Sequence, residues 1–310
     1  FFRAAQAEYQ DAPVWSGELY LELHRGTYTT QSRTKAGNRR SEHLLREAEL
    51  WAATAAVQAG FAYPYEELER IWKTVLLHQF HDILPGSSIA WVHREARETY
   101  AQIGAELRSL IASAQRSLGG TGEVDIAFNA SPREREGIPA LGAARREPEV
   151  GTVTARQHDG GLLLESDLLR VRVDRQGLLT SVRDLVVDRE VLATGRAGNQ
   201  LQLHPDLPNR WDAWDIDEFY RNSVTDLDEV ESMSLVGPGT VRVVRGFGGS
   251  RITQEMTLQP SSRRVDFSVE VDWQEREKLL KVAMPIAVHT DRAAYETQFG
   301  VHRPTVADCR

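Results

Sequence analysis

The sequence predicts a multidomain protein of the α+β class, with helices and strands segregated along the chain rather than alternating. Three observations carry this reading. A period-two segment stands near the start, a stretch with apolar residues three and four apart follows it, and short alternating segments recur from residue 123 onward. The length of 310 residues is enough for two or three domains of ordinary size.

Residues 18–24 place Leu19, Leu21 and Leu23 against polar neighbours, which predicts a short strand. Gly26 and the Thr27-Tyr28-Thr29-Thr30 run follow it, and a basic, polar loop leads on to Arg40. This segment cannot fold alone, so it reads as the last strand of a unit lying upstream.

From Ser41 the period changes. Leu44, Ala48, Trp51 and Ala55 share one helical face, with Ser41 as the expected N-cap and Gly60 as the stop. A second helix is predicted from about Pro64, with Leu68, Ile71, Val75 and Leu76 as its stripe and His78 and His81 closing it. Pro85-Gly86 breaks it. The third helix starts after Ser88 and carries Val92, Ala96, Tyr100, Ile103, Leu107 and Leu110, with His93 and residues 95–97 on a solvated face. Three such helices with short connections predict a small antiparallel bundle.

Gly119-Gly120-Thr121-Gly122 is a linker. Beyond it, residues 123–129, 168–173, 178–182, 241–244, 252–258, 265–271 and 279–286 read as strands, with a hairpin turn at 174–177. Regular short strands separated by turn residues predict a β-sandwich.

Composition narrows the function classes. The net charge is −8 with scattered basic residues, which disfavours nucleic acid, since phosphate binding needs a concentrated basic face. No apolar run is long enough to span a bilayer. The single cysteine, Cys309, excludes an intrachain disulfide and a cysteine-rich zinc site, and fits a cytoplasmic location. Gly-Phe-Gly-Gly at 246–249 lacks the strand–turn–helix context of a phosphate loop, and no nucleophile elbow occurs.

The strongest chemical signal is His78-Gln79-Phe80-His81-Asp82 running into Pro85-Gly86-Ser87-Ser88. Two histidines three apart on a helix share a face and could both reach a metal. The plain alternative puts His78 in the bundle and His81 at a helix C-terminus, where the dipole favours an imidazolium. Spacing alone leaves both open. An independent zinc hydrolase built on the two histidines would need a carboxylate ligand and a base, and no pair has convincing spacing.

The string LLHQFHDILPGSSI at 76–89 resembles the motif that ends the second bundle helix in glycoside hydrolase family 38, the α-mannosidases. GELYLELHRGTYTTQSRTKAGNRRSEHLLREAELW at 17–51 is similar to the end of that family's catalytic β/α barrel running into its helical domain. RWDAWDIDEFY at 210–220 and ESDLLRVRVDRQGLLTSVRD at 165–184 resemble its β-sandwich region. The four segments keep the family's order and are spread over most of the chain. The resemblance is to the bacterial and vacuolar/cytosolic branch. It implies a barrel tail at 1–36, a three-helix middle domain at 37–118 and the first part of a large β-sandwich at 123–310.

The resemblance also implies roles. His81 matches the histidine that completes a Zn2+ site, and a neutral imidazole suits a tetrahedral ion. Asp82 matches an aspartate that accepts hydrogen bonds from sugar hydroxyls in the −1 subsite. His78 matches no ligand. Tyr28 lies just past a barrel strand's C-terminal end, where an aromatic ring can stack on a pyranose; a packing role at the domain junction is the equal alternative. Trp211, Asp212, Trp214, Asp215 and Asp217 form an aromatic-acidic cluster, either a sugar-binding edge or an ordinary strand–loop junction. Within the resemblance the cluster closes the −1 subsite, with Trp214 as the contact.

The implied reaction is retaining hydrolysis of α-mannosides in oligosaccharides, with one carboxylate as nucleophile and another as acid and base. Neither is expected in these 310 residues, nor are the other zinc ligands. The chain begins Phe-Phe-Arg and stops at Cys309-Arg310, and is expected to be a fragment that is inactive alone. A non-catalytic carbohydrate-binding module is the rival reading. The sequence leaves a homo-oligomer open.

Overall fold

The computed structural model describes residues 1–11, 13–14, 24–146, 151–297 and 300–302. The strand predicted at 18–24 therefore lies, except for His24, outside the described residues, and so does Cys309. Helix α1 (Phe2–Glu8) buries no side chain. Among the described residues no helix is long and apolar enough to cross a membrane.

Helices α2 (Ser32–Ala59), α3 (Tyr65–His78) and α4 (Ala90–Gly119) share one core. Leu45, Ala48, Trp51 and Ala55 of α2 meet Leu68, Ile71 and Val75 of α3 and Ala96, Tyr100, Ile103 and Leu107 of α4. Leu45, not Leu44, is fully buried, and Leu76 is exposed rather than part of the stripe. Pro64 caps α3 from outside, and Glu66 and Glu67 sit in its first turn, where the helix dipole favours acids.

Helix α2 starts nine residues before the predicted Ser41. Its N-cap is Gln31, in the left-handed region at φ 54°, and Ser41 is buried in mid-helix. The early turns bury Thr34, Asn38 and Ser41, which continue the same face as Leu45 and Ala48 but are polar. An apolar period cannot reveal such a face. Its middle residue is held by hydrogen bonds: Asn38 Nδ2 donates to Glu42 Oε1 at 2.9 Å, and the Tyr100 hydroxyl donates to Asn38 Oδ1 at 3.4 Å.

Burial of Tyr100 pushes its phenol up to about 12 from an ordinary value of 10, with Glu42 adding to the shift. Between those pH values the unfolded chain has released a proton that the native state keeps. Stability tied to Tyr100 is therefore complete below pH 10 and lost as pH rises toward 12. Tyr100→Phe should flatten the alkaline fall in melting temperature over that window relative to the parent. An identical fall in both proteins would refute this.

His93 departs from the predicted solvated face and is 1% exposed. The 86–88 segment folds over the first turn of α4. Burial lowers the His93 pKa, while the backbone of Gly86 and Ser88 near its ring works the other way.

After the bundle, β1 (Ile126–Asn129) and β2 (Gly142–Arg145) pair antiparallel. Five strands then form a meander: β3 (Thr154–His158), β4 (Gly161–Glu165), β5 (Leu169–Val173), β6 (Leu179–Asp184) and β7 (Arg189–Glu190). A second meander holds β10 (Ser232–Gly237), β11 (Thr240–Phe247), β12 (Ser250–Leu258) and β13 (Val265–Asp272). A third sheet orders β14 (Lys278–Ala283), β8 (Gln200–Pro205) and β9 (Thr225–Asp226). The short pair β15 (Tyr295–Thr297) and β16 (Gly300–His302) follows.

The alternation in β12 explains the packing. Ser250, Ile252, Gln254, Met256 and Leu258 are all buried on one face. Met256 and Leu258 meet Leu162, Leu164 and Val171 of the first meander, while Ile252 meets Leu201 of the third sheet. Gln254 lies between the two apolar clusters. It accepts from the buried Arg245 Nη1 at 3.0 Å, and its amide donates to Asn199 Oδ1 at 3.0 Å. One β-sheet thus covers two others, with a polar seam where they meet.

Candidate functional site

The predicted site residues stand on three segments. The first is the turn after α3. Helix α3 ends at His78, so His78 and His81 do not share the predicted helical face. His78 Nδ1–H donates to the Thr74 carbonyl at 2.7 Å and its ring packs against Tyr100. Gln79 is the C-cap of α3, and its Nε2 donates to Asn38 Oδ1 and Glu42 Oε1 of α2, each at 3.1 Å. The chain then turns back on itself, with the amides of Ile83 and Leu84 donating to the Phe80 carbonyl at 2.9 and 3.1 Å.

His81 and Asp82 sit on the outside of that turn. Their side chains are 75% and 48% exposed, and His81 Nε2 lies 3.5 Å from Asp82 Oδ2. The His81 ring stacks on Phe80 with centroids 4.2 Å apart. An imidazole and a carboxylate are thereby offered side by side to whatever approaches.

The second segment is the 3₁₀ turn Arg25–Tyr28 and the residues leading into α2. Tyr28 is 55% exposed at its end. The first two segments are joined: Lys35 Nζ donates to the carbonyls of Thr30 at 2.6 Å, Leu84 at 2.8 Å and Pro85 at 3.0 Å. Burial lowers the Lys35 ammonium to about 8.

The third segment is the 206–217 loop between β8 and the 3₁₀ turn Glu218–Asn222. It grips the second segment. The amide of Gly26 donates to the Trp214 carbonyl at 2.8 Å, and the amide of His24 donates to Asp215 Oδ1 at 2.6 Å. A Cβ on Gly26 would lie 2.9 Å from the Trp214 carbonyl carbon, so this approach requires glycine. The half-buried Trp214 indole packs edge-on against His24 at 5.1 Å. The ring predicted to face sugar is therefore also a clamp between segments.

A cleft of about 580 Å³ opens where the start of α2 faces this loop and β14. Arg33, Arg97, Asp206, Asp212, Trp273 and Lys278 are among its walls, whereas His81, Asp82, Tyr28 and Trp214 are not. Asp206 is held above the ordinary carboxylate range, first by burial and then by Asp212 and Asp217. Sequence reasoning missed Lys35, Asp206 and Asp215 as organisers of this region. The three segments are far apart in the chain, and only Asp215 stood in a cluster that the pattern marked.

Among the described residues no group of three or more histidine, cysteine, aspartate or glutamate side chains could hold a metal ion. The exposed His81 imidazole has the right donor chemistry for one zinc ligand, but these residues do not make a zinc site by themselves.

Comparison with known proteins places this arrangement. Residues 22–118 match the alpha mannosidase middle domain, and residues 164–308 match the glycosyl hydrolases family 38 C-terminal domain. The chain is 33% identical to human alpha-mannosidase 2C1 over 343 aligned residues, covering 98% of this chain and 33% of that protein. It is also 33% identical to the alpha-mannosidase of Saccharomyces cerevisiae, covering 95% of this chain and 29% of that protein. The chain thus spans about a third of the length of these relatives. Its fold matches that of a glycosyl hydrolase family 38 protein from Enterococcus faecalis with a TM-score of 0.68 at 13% identity, over 98% of this chain and 50% of that one. Two consecutive domain matches and relatives aligned along nearly the whole chain give one conclusion: the chain belongs to glycosyl hydrolase family 38, of which it carries the middle and C-terminal domains.

Proposed function

We propose that this chain is the non-nucleophilic part of a retaining, zinc-assisted α-mannosidase. The observation that supports it most is the His81-Asp82 pair, standing exposed on a turn that Lys35 ties to the entry of α2, in a chain aligned with alpha-mannosidases along 98% of its length. In this reading residues 1–36 are a barrel tail, 37–118 the middle domain and 123–310 the first part of a β-sandwich.

In this reading His81 contributes one imidazole to a Zn2+ ion whose other ligands lie outside this chain. Zinc, when bound, would orient and polarise vicinal hydroxyls of the sugar. Asp82 accepts hydrogen bonds from mannose hydroxyls, as an exposed carboxylate does well. Tyr28 offers a ring and a hydroxyl at the edge of the same face, and Trp214 holds the loop that closes it. The nucleophile and the acid/base belong to residues outside this chain, so isolated residues 1–310 bind at most weakly and do not turn over. Substrates are α-mannoside oligosaccharides, and the single cysteine suits a cytoplasmic site of action.

The test is His81→Ala in the full-length protein, assayed on an aryl α-mannoside with zinc content measured in parallel. Loss of one of the site's ligands is expected to lower kcat/KM by at least about 100-fold and to reduce bound zinc. Full zinc content with full activity would sink the assignment. Turnover by residues 1–310 alone would sink the division of labour.

A further inference from the structure

We propose that Lys35 is a positioning residue: its ammonium fastens the turn bearing His81 and Asp82 to the segment bearing Tyr28, and so sets the spacing of the sugar-facing groups. The proposal rests on the α-mannosidase reading for its functional half only.

Three observations carry it. Lys35 Nζ reaches Thr30 on one side and both Leu84 and Pro85 on the other, at 2.6, 2.8 and 3.0 Å. All three acceptors are main-chain carbonyls, so the contact fixes backbone to backbone. An ammonium has three tetrahedral N–H groups and satisfies three converging carbonyls from one atom. The second observation is Gly86, which lies against Thr30 so closely that an added Cβ would stand 2.8 Å from the Thr30 carbonyl oxygen. The two segments are thus pressed together where Lys35 ties them. The third is burial, which lowers the lysine pKa to about 8, so the ammonium is drawn out of water to the place where the three carbonyls converge.

Each end of the clasp is close in sequence to a candidate contact. Thr30 is two residues from Tyr28, and Leu84 is two residues from Asp82. Charge-assisted hydrogen bonds are the stronger kind, and their loss releases carbonyls into partly buried surroundings. An arginine would not replace the lysine, because its planar fork cannot aim three N–H groups from one nitrogen.

The experiment compares Lys35→Met and Lys35→Arg with the parent in the full-length protein. Amide hydrogen exchange across 28–31 and 82–88, aryl α-mannoside kinetics and zinc content are measured. Lys35→Met keeps the aliphatic stem, and Lys35→Arg keeps the charge and is expected to fold normally. Both should speed exchange in the two segments about tenfold or more, leave residues 45–55 of α2 unchanged, and lower kcat/KM by a similar factor with zinc retained. Unchanged exchange in either segment would overturn the clasp, whether or not the protein cleaves mannosides. Opened segments with an unaltered kcat/KM would overturn the positioning role. A parent protein without turnover would defeat the α-mannosidase reading separately, because the exchange comparison still decides on the clasp.

Discussion

Replacing Ile71 with alanine is expected to destabilise the helical unit by about 2–5 kcal/mol. Ile71 is fully buried, and α3 is anchored by only three buried residues, Leu68, Ile71 and Val75. A helix of 14 residues is marginal without packing, so most of its stability comes from that one stripe. Ile71 is the middle anchor, and truncating it leaves a cavity in the core shared by α2, α3 and α4 that rigid helices cannot readily close. Denaturant unfolding followed by tryptophan fluorescence would read the change, since Trp51 is buried in the same core. A loss below about 1 kcal/mol would mean that α3 relaxes onto its neighbours instead. The consequence reaches further than stability. The C-terminus of α3 carries the turn with His81 and Asp82, so a loosened α3 should also weaken any activity that depends on them.

The second large effect is expected from Gly86→Ala, which should cost about 3 kcal/mol or open the turn locally. Gly86 has φ 96°, a region that strains any residue with a Cβ, and that Cβ would stand 2.8 Å from both Cγ2 and the carbonyl oxygen of Thr30. Gly60→Ala is the control. It sits at φ 67° after α2 with nothing within 4 Å of a built Cβ, so only the backbone penalty of about 1–2 kcal/mol applies. Melting temperatures of the two variants separate conformation from contact. If Gly86→Ala were no worse than Gly60→Ala, the close seating of the 82–86 turn on Thr30 would be wrong, and the Lys35 clasp with it.

Together these effects describe a composite site. The turn after α3, the entry to α2 and the 206–217 loop come from parts of the chain nearly 200 residues apart, since His24 and Asp215 differ by 191 positions. Hydrogen bonds with a main-chain group on at least one side hold them: Lys35 joins the first two segments, and Gly26 and His24 join the second to the third. Side chains that face outward, such as His81, rest on a frame of buried polar contacts.

Much of the fold was legible in the sequence because it obeys simple periods. Leu68, Ile71 and Val75 fall three and four apart, as do Tyr100, Ile103 and Leu107, and β12 alternates as a half-buried strand does. The first turns of α2 were illegible because Thr34, Asn38 and Ser41 are buried polar residues, and the partners of Asn38, Gln79 after α3 and Tyr100 on α4, are distant in sequence. His93 was misplaced for a related reason. A loop brought in by Lys35 and Gly86 covers it, and no local pattern announces a loop that folds back.

By itself the sequence determined the three bundle helices, seven of the strands that follow, most of their inward faces, and the HQFHDILPGSS run that points to family 38. Those are local properties, set by side-chain period and turn chemistry within a few residues. Tertiary structure alone decided that His78 turns inward while His81 turns out, that Trp214 braces His24, and that one lysine ammonium reaches a carbonyl 49 residues further along the chain. Such contacts depend on where distant backbone carbonyls come to lie, and that is settled only when the cores beneath them have packed.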